Sequence, residues 1–387
     1  RPGRGPLGAM APRAGAPALA VAAVAAAFVA ARAPDVGLAE AIAEVLGLAR
    51  LPAYQRWRDS YAPLHPELFV LGGPPETLWL HSALAAALRL PVQPAGGGRH
   101  AAIRALVTPE GPGVFSVPLL RPEFCRLLAE EIAHFEASGR RVTVPNSMND
   151  HGVVLEELGM GSFATRLRRD VLSPLAAALY GRTAPRSNGT AAAWAEDVLE
   201  ESWNLGAPDC CDEHHAFTVK YEPAAQSALD MHHDDSDVTL NVCIAAGSGL
   251  SGSSLVFCGF FGHADHRQHR LSLQPAVGRA VVHLGTHRHG VEPVMQGARQ
   301  SLIVWGRNAR RRDARRSEGR RRPQQARPGA GGPPGLAAVG APDPRCLSWT
   351  HDGDFAQHRA LPPEAVRERR EREEAARLLQ LAQRATE

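Results

Sequence analysis

The stretch M-H-H-D-D-S-D-V-T-L-N-V-C-I, residues 231–244, sets two histidines and three aspartates directly ahead of a β-branched, apolar run. In a strand, side chains two apart share a face, so His232 with Asp234, or His233 with Asp235, projects into one space. An imidazole beside a carboxylate is half of a metal site, and the competing reading is a polar hairpin turn. The apolar run has companions: A-F-T-V-K-Y-E (216–222), S-S-L-V-F-C-G-F-F (253–261), R-L-S-L (270–273), G-R-A-V-V-H-L (278–284) and S-L-I-V-W-G-R (301–307). All are rich in β-branched and aromatic residues and are separated by Gly, Ser, Asp and Pro. They predict an all-β barrel or sandwich of about six to eight strands.

Upstream the texture is helical. In residues 121–139, Phe124, Leu127, Leu128, Ile132 and Phe135 recur at three and four, and Gly139 stands where a helix stops. A second helix is expected over 163–180, ending at Gly181, and a strand at G-P-G-V-F-S-V-P-L-L (111–120). Helices followed by a run of strands give an α+β fold in which helices brace one face of the β unit. The predicted organisation is an Ala-rich segment at 1–37, an N-terminal helical region at 38–110, and a β-rich domain at 111–307 interrupted by an insertion at 182–213. An Arg-, Pro- and Gly-rich disordered segment follows at 308–345, and a charged helical region closes the chain at 346–387. On this reading the Arg cluster at 310–322 lies outside the β unit, and truncation after Arg307 leaves the domain intact. The Ala-rich segment fits a secretory signal or short anchor, a transit peptide, or plain low complexity, and only an anchor would bring membrane contact.

The chain has 387 residues, 44% of them hydrophobic, enough for a real core. Its formal charge of +3 gives no global demand for nucleic acid. The six cysteines include no C-x-x-C pair and no regular spacing, so neither a zinc knuckle nor a disulfide framework is indicated. Cys243 and Cys258 lie in apolar runs and read as small core residues.

A metal site needs a third ligand, and downstream His283, His287 and His289 compete for the place in V-V-H-L-G-T-H-R-H-G-V-E-P-V. Two imidazoles and one carboxylate on facing strands form the triad that binds Fe(II) on one side and leaves the other open. Arg299, a short loop beyond, could clamp a distal carboxylate bidentately. Tyr221 and Asn241 are polar residues on the strands flanking the H-x-D; each alone fits a structural role as well.

The order Tyr221, H-H-D at 232–234, T-L-N-V at 239–242, H-G-V-E-P-V at 289–294 and G-A-R at 297–299 resembles the Fe(II)/2-oxoglutarate dioxygenases of the prolyl and lysyl hydroxylase type. Within that group it most resembles the 2-oxoglutarate and iron-dependent oxygenase domain-containing protein 2 family. The likeness extends upstream through D-S-Y-A-P-L-H-P-E-L-F (59–69), residues 111–125 and P-N-S-M-N-D-H-G-V-V-L (145–155). The resemblance implies a double-stranded β-helix (jelly-roll) core. It implies His232, Asp234 and His289 as the metal ligands and catalytic centre, with Arg299 and Tyr221 at the distal carboxylate of 2-oxoglutarate and Asn241 near its metal end. His233, Asp235, His283 and His287 then become neighbours of the site. It further implies Fe(II) and 2-oxoglutarate as cofactors, ascorbate as reductant, molecular oxygen, and a protein or peptide substrate that meets a lip at 145–152 and 259–263.

Three rivals carry different expectations: a jelly-roll metal or organic-acid binding module without turnover, an enzyme of another metal such as a zinc hydrolase, and a nucleic-acid protein using the Arg run. A carboxylate-containing triad beside an anion clamp favours oxygen chemistry over the second. A solvated disordered segment accounts for the Arg run in the third.

Overall fold

In the computed structural model, residues 61–70, 73–93, 97–140, 143–149, 151–181, 211–261, 265–309 and 341–364 are described, with 366–372, 374, 375 and 378 beyond them. The start of the expected N-terminal helical region, the Ala-rich segment, the bulk of the insertion and the Arg cluster lie outside the described residues. Two units divide the chain, Arg1–Gly72 and Gly73–Glu387. Among the described residues of the first, a 3-10 turn at Pro66–Phe69 opens on a proline, and Tyr61 meets Phe69 edge-on at 6.4 Å.

Among the described residues twelve strands build the second unit: β1 Thr108–Gly111, β2 Val114–Pro118, β3 Glu213–Tyr221, β4 Leu229–His232, β5 Val238–Ala246, β6 Ser251–Gly252, β7 Leu255–Phe260, β8 Leu271–Leu273, β9 Arg279–Leu284, β10 His287–Val291, β11 Val294–Gln296 and β12 Arg299–Arg307. One sheet runs β1-β2-β9-β5-β12-β3, a second runs β4-β10-β7-β8, and β6 pairs with β11. Every described pairing is antiparallel. Along the chain the path crosses repeatedly between the larger sheet and the smaller one, the topology of a jelly roll. The expected α+β, double-stranded β-helix architecture is therefore what the chain forms. Between the sheets, Phe217, Val219 and Ile303 from one face meet Leu229, Leu255, Phe257 and Val291 from the other.

The helix Pro122–Ala137 starts on proline, which needs no donor there. It buries the five predicted apolar positions and is followed by Gly139 at φ 68°. The second predicted helix is less regular: Gly161–Arg166 and Ser173–Tyr180 are α-helical, but Leu167–Leu172 is a π-turn. Pro174 stands just after it, where a missing N–H and the proline ring would break an ordinary turn. The rod ends with Tyr180 donating to the Gly113 and Val282 carbonyls at 3.0 and 3.1 Å, which ties it to β9 and to the loop entering β2.

Two expectations need correction. Cys258 is not a free core thiol: it is bonded to Cys346, across 88 residues of sequence. Nor does the packed structure stop at Arg307. Residues 341–358 return to the smaller sheet, with Cys346, Ser348 and Asp354 fully buried. Burial without a regular apolar period explains why this segment reads as coil. Among the described residues no helix is long and apolar enough to cross a membrane.

Candidate functional site

β4 and β10 pair with His232 directly opposite His289, and the two rings lie 4.2 Å apart between centroids. Asp234 follows the end of β4 by two residues and closes the group. Its Oδ1 lies 3.4 Å from His232 Nε2 and 3.7 Å from His289 Nε2. One ligand atom from each of the three residues falls within 4.8 Å of the other two, the only such cluster among the described residues. Asp234 is thus brought together with His232, while Asp235 turns away to Arg307 at 3.0 Å and His233 stacks on Phe261.

Backbone geometry sets the tautomers. His232 Nδ1 sits 2.8 Å from the Asp230 carbonyl and His289 Nδ1 2.8 Å from the His287 carbonyl. A ring nitrogen facing a carbonyl must carry the proton, which leaves each Nε2 lone pair pointed at the shared space. The other carboxylate oxygen of Asp234 accepts from Thr239 Oγ1 at 2.5 Å, and the Asp234 N–H donates to the Gly285 carbonyl at 2.9 Å. Gly285 has to be glycine: a Cβ there would come within 2.0 Å of the Ser236 carbonyl oxygen.

Electrostatics agree with a ligand set. Burial acts to raise the Asp234 carboxyl, yet the facing His289 and His232 outweigh it and hold the group well below the usual carboxylate range. Burial pushes the His289 imidazole far down, against the opposing pull of Asp234. His283, fully buried, lies with Nε2 3.9 Å from Asp234 Oδ2 and has no partner for that nitrogen. His287 points elsewhere, to the Cys258 carbonyl at 2.9 Å.

Arg299 opens β12 opposite Tyr221 and is 2% exposed. Its Nη1 donates to the Ser253 carbonyl at 2.6 Å, its Nε has no partner, and its Cζ lies 5.1 Å from the centre of the Tyr221 ring. Ser253 holds that carbonyl in place at a positive φ of 62°. No carboxylate among the described residues pairs with this guanidinium, and burial lowers its pKa. A buried cation in that state is a receptor for an anionic group. Asn241 lines both the small cavity of about 50 Å³ at Arg299 and the cavity of about 160 Å³ at His232, Asp234 and His289. The Tyr221 hydroxyl turns to Asn149 Oδ1 at 3.4 Å.

Other contributors escaped the sequence. Ser301, two residues beyond Arg299 on β12, is buried with an unpartnered Oγ and lines the Arg299 cavity. The returning segment 346–354 supports β4 and β10 from behind. Asp230, on β4, accepts from Ser348 Oγ at 2.7 Å and from the Thr350 N–H at 2.9 Å. Arg288, between His287 and His289, is 1% exposed; it donates to the Cys346 carbonyl at 3.0 Å and to Asp354 at 2.8 Å, and also pairs with Asp352. A buried arginine between two inward-facing histidines was the available signal, since such a charge must find acids nearby.

The sheets and the His-Asp-His group define a jelly roll with a two-imidazole, one-carboxylate pocket. Residues 58–184 match the model of the OGFOD2-like domain, which covers the helices and β1–β2 and stops before the three clustered residues. The chain is 35% identical over 205 residues to the human 2-oxoglutarate and iron-dependent oxygenase domain-containing protein 2, covering 52% of this chain and 50% of that protein. It is 30% identical over 279 residues to the Arabidopsis thaliana 2-oxoglutarate and iron-dependent oxygenase domain-containing protein ICU11, covering 68% of this chain and 61% of that one. By sequence it is a relative of these proteins, and it spans about half the length of the human one. Among solved structures, a Pseudomonas putida prolyl-4-hydroxylase is similar with a TM-score of 0.32 at 19% identity, covering 54% of this chain and 99% of the other.

Proposed function

We propose that this chain is an Fe(II)- and 2-oxoglutarate-dependent oxygenase that hydroxylates a C–H bond of a protein side chain. The observation that carries the reading is a two-imidazole, one-carboxylate group, half-buried at His232 and buried at Asp234 and His289, whose cavity adjoins a buried guanidinium with no carboxylate partner among the described residues. The donor set fits Fe(II): two imidazole nitrogens and one carboxylate meet at the shared space. The names of the relatives point the same way.

In this reading His232, Asp234 and His289 hold the metal, and Arg299 receives the distal carboxylate of 2-oxoglutarate. The Tyr221 ring packs on the guanidinium and fixes its plane, and Asn241 stands between the two ends. The bound iron and cosubstrate would supply oxidation of a substrate C–H bond by molecular oxygen, with succinate and carbon dioxide as co-products and ascorbate as reductant. The protein's own part is orientation and exclusion of water: Thr239 and the Gly285 carbonyl hold Asp234, and Phe257, Leu229 and Val291 dry the space around it. The loop Asn146–Asn149 lines the cavity as an expected lip.

The second reading is a metal and organic-acid binding module without turnover. Succinate release from 2-oxoglutarate by anaerobically reconstituted chain, on admitting oxygen, tests the choice. Release that disappears in His289→Ala supports the oxygenase; tight 2-oxoglutarate binding with no succinate supports the module.

A further inference from the structure

Beside the cavity of the His-Asp-His group lies a larger one of about 360 Å³, and Ser147, Met148 and Leu229 line both. Its far walls come from the returning C-terminal segment, through Trp349, Thr350 and His351, and from the helical residues Val366, Arg369 and Arg370. Spacing of three and four puts those last three on one face. The acids of this helix at Glu364, Glu368 and Glu371 do not line the cavity.

Charge on the lining is therefore one-sided. Asp230 is its single carboxylate, and it is already engaged by the N–H groups of Met231, Trp349 and Thr350 and by the hydroxyls of Ser348 and Thr350. Against it stand Arg369, Arg370 and His351, whose Nδ1 is 3.5 Å from Asp230. Arg370 is exposed and has no side-chain partner among the described residues. The apolar part of the wall, Met148, Leu229, Trp349 and Val366, has no stacked aromatic series of the kind that tracks nucleic-acid bases.

Resting on the oxygenase reading above, we infer that this groove holds the substrate chain beside the residue being oxidised, and that it selects an acidic peptide segment. The shared wall at Ser147, Met148 and Leu229 lets one extended chain place a side chain in the site while its neighbours run along Arg369 and Arg370. Apolar contacts on Trp349 and Val366 would fix the backbone, and the guanidinium groups would choose the charge. The C-terminal segment thereby has two faces, one bracing the ligand strands and the other forming substrate wall.

The test uses the full chain without added metal and three fluorescein-labelled peptides of equal length, with repeating Glu-Ala-Gly, Gln-Ala-Gly and Lys-Ala-Gly, together with an oligo(dT) of similar charge. Fluorescence anisotropy should show the Glu peptide binding at least about tenfold more tightly than the Gln peptide, with the Lys peptide weaker still. Reversing the half-buried Arg369 and the exposed Arg370 with Arg369→Glu/Arg370→Glu should erase that preference and favour the Lys peptide, a change of about tenfold from pairs of this kind. Loading the triad with Mn(II) should broaden NMR resonances of the bound Glu peptide, since the groove adjoins the metal. Equal affinity for the three peptides, an unchanged preference in the double variant, absence of broadening, or tighter binding of oligo(dT) overturns the inference. The oxygenase reading fails on a different result, the absence of succinate from the wild-type chain with Fe(II), 2-oxoglutarate and oxygen, so the two outcomes separate.

Discussion

His232 and His289 are paired across the β4–β10 ladder, the one directly opposite the other, with ring centroids 4.2 Å apart. Directly opposed residues in an antiparallel pair place their side chains on the same face, so the pairing itself delivers both imidazoles to one space. Asp234 needs only to follow β4 by two residues to complete the group.

That register makes the proposed ligands distinguishable from their neighbours. His232→Ala, Asp234→Ala and His289→Ala should each weaken Mn(II) or anaerobic Fe(II) binding by more than about 100-fold, beyond what loss of a supporting hydrogen bond costs. His233→Ala and Asp235→Ala should stay within about threefold of wild type, because both side chains leave the cluster for Phe261 and Arg307. Isothermal titration with Mn(II) reads both sets. Loss of binding in His233→Ala with retention in His232→Ala would reverse the register.

The carboxylate depends on its supports. Thr239→Val removes the donor to Asp234 Oδ2 while keeping shape, and should weaken metal binding by about 10–100-fold. Thr239→Ser should restore most of it. Gly285→Ala should be worse than Thr239→Val, because its Cβ drives against the Ser236 backbone and displaces the turn that carries Asp234. Metal affinity unaffected by either change would show that the Asp234 orientation is set elsewhere.

The C-terminal return is part of the domain. Asp354 is fully buried and serves both Arg288 and Arg267, so Asp354→Asn should cost about 3–5 kcal/mol in urea unfolding, the usual loss when one partner of a buried pair is removed. A chain ending at Arg307 loses Cys346, Ser348 and Asp354 together, and should either fail to fold or bind metal far more weakly. Wild-type stability and metal affinity in that truncation would return the domain boundary to Arg307.

Strands and candidate ligands were legible because both rest on local pattern. β-Branched and aromatic runs mark β3, β5 and β12, the two-residue strand period limits which side chains of H-H-D-D can share a space, and Arg299 stood out as a charge at the head of an apolar strand. Choosing His232 over His233, and His289 over two neighbours, took the family pattern. What stayed hidden depends on contacts distant in sequence. Cys258 and Cys346 have no spacing signal, and L-S-W-T-H-D-G-D-F reads as polar coil until Asp230 and Arg288 supply its partners. His283 and Thr239 look like ordinary strand residues, and only the fold sets both beside Asp234.

In the oxygenase proposed above, Arg299 receives the far carboxylate of 2-oxoglutarate while iron sits on His232, Asp234 and His289. The measurement is an anaerobic titration of 2-oxoglutarate into Fe(II)-loaded wild type and Arg299→Ala, followed by the metal-to-ligand charge-transfer band. Iron affinity should be nearly equal in the two, and 2-oxoglutarate binding should weaken by about 2–5 kcal/mol in the variant, with Arg299→Lys recovering only part because it loses the planar two-pronged contact. Equal 2-oxoglutarate affinity in wild type and Arg299→Ala, with the iron site intact, would contradict the account.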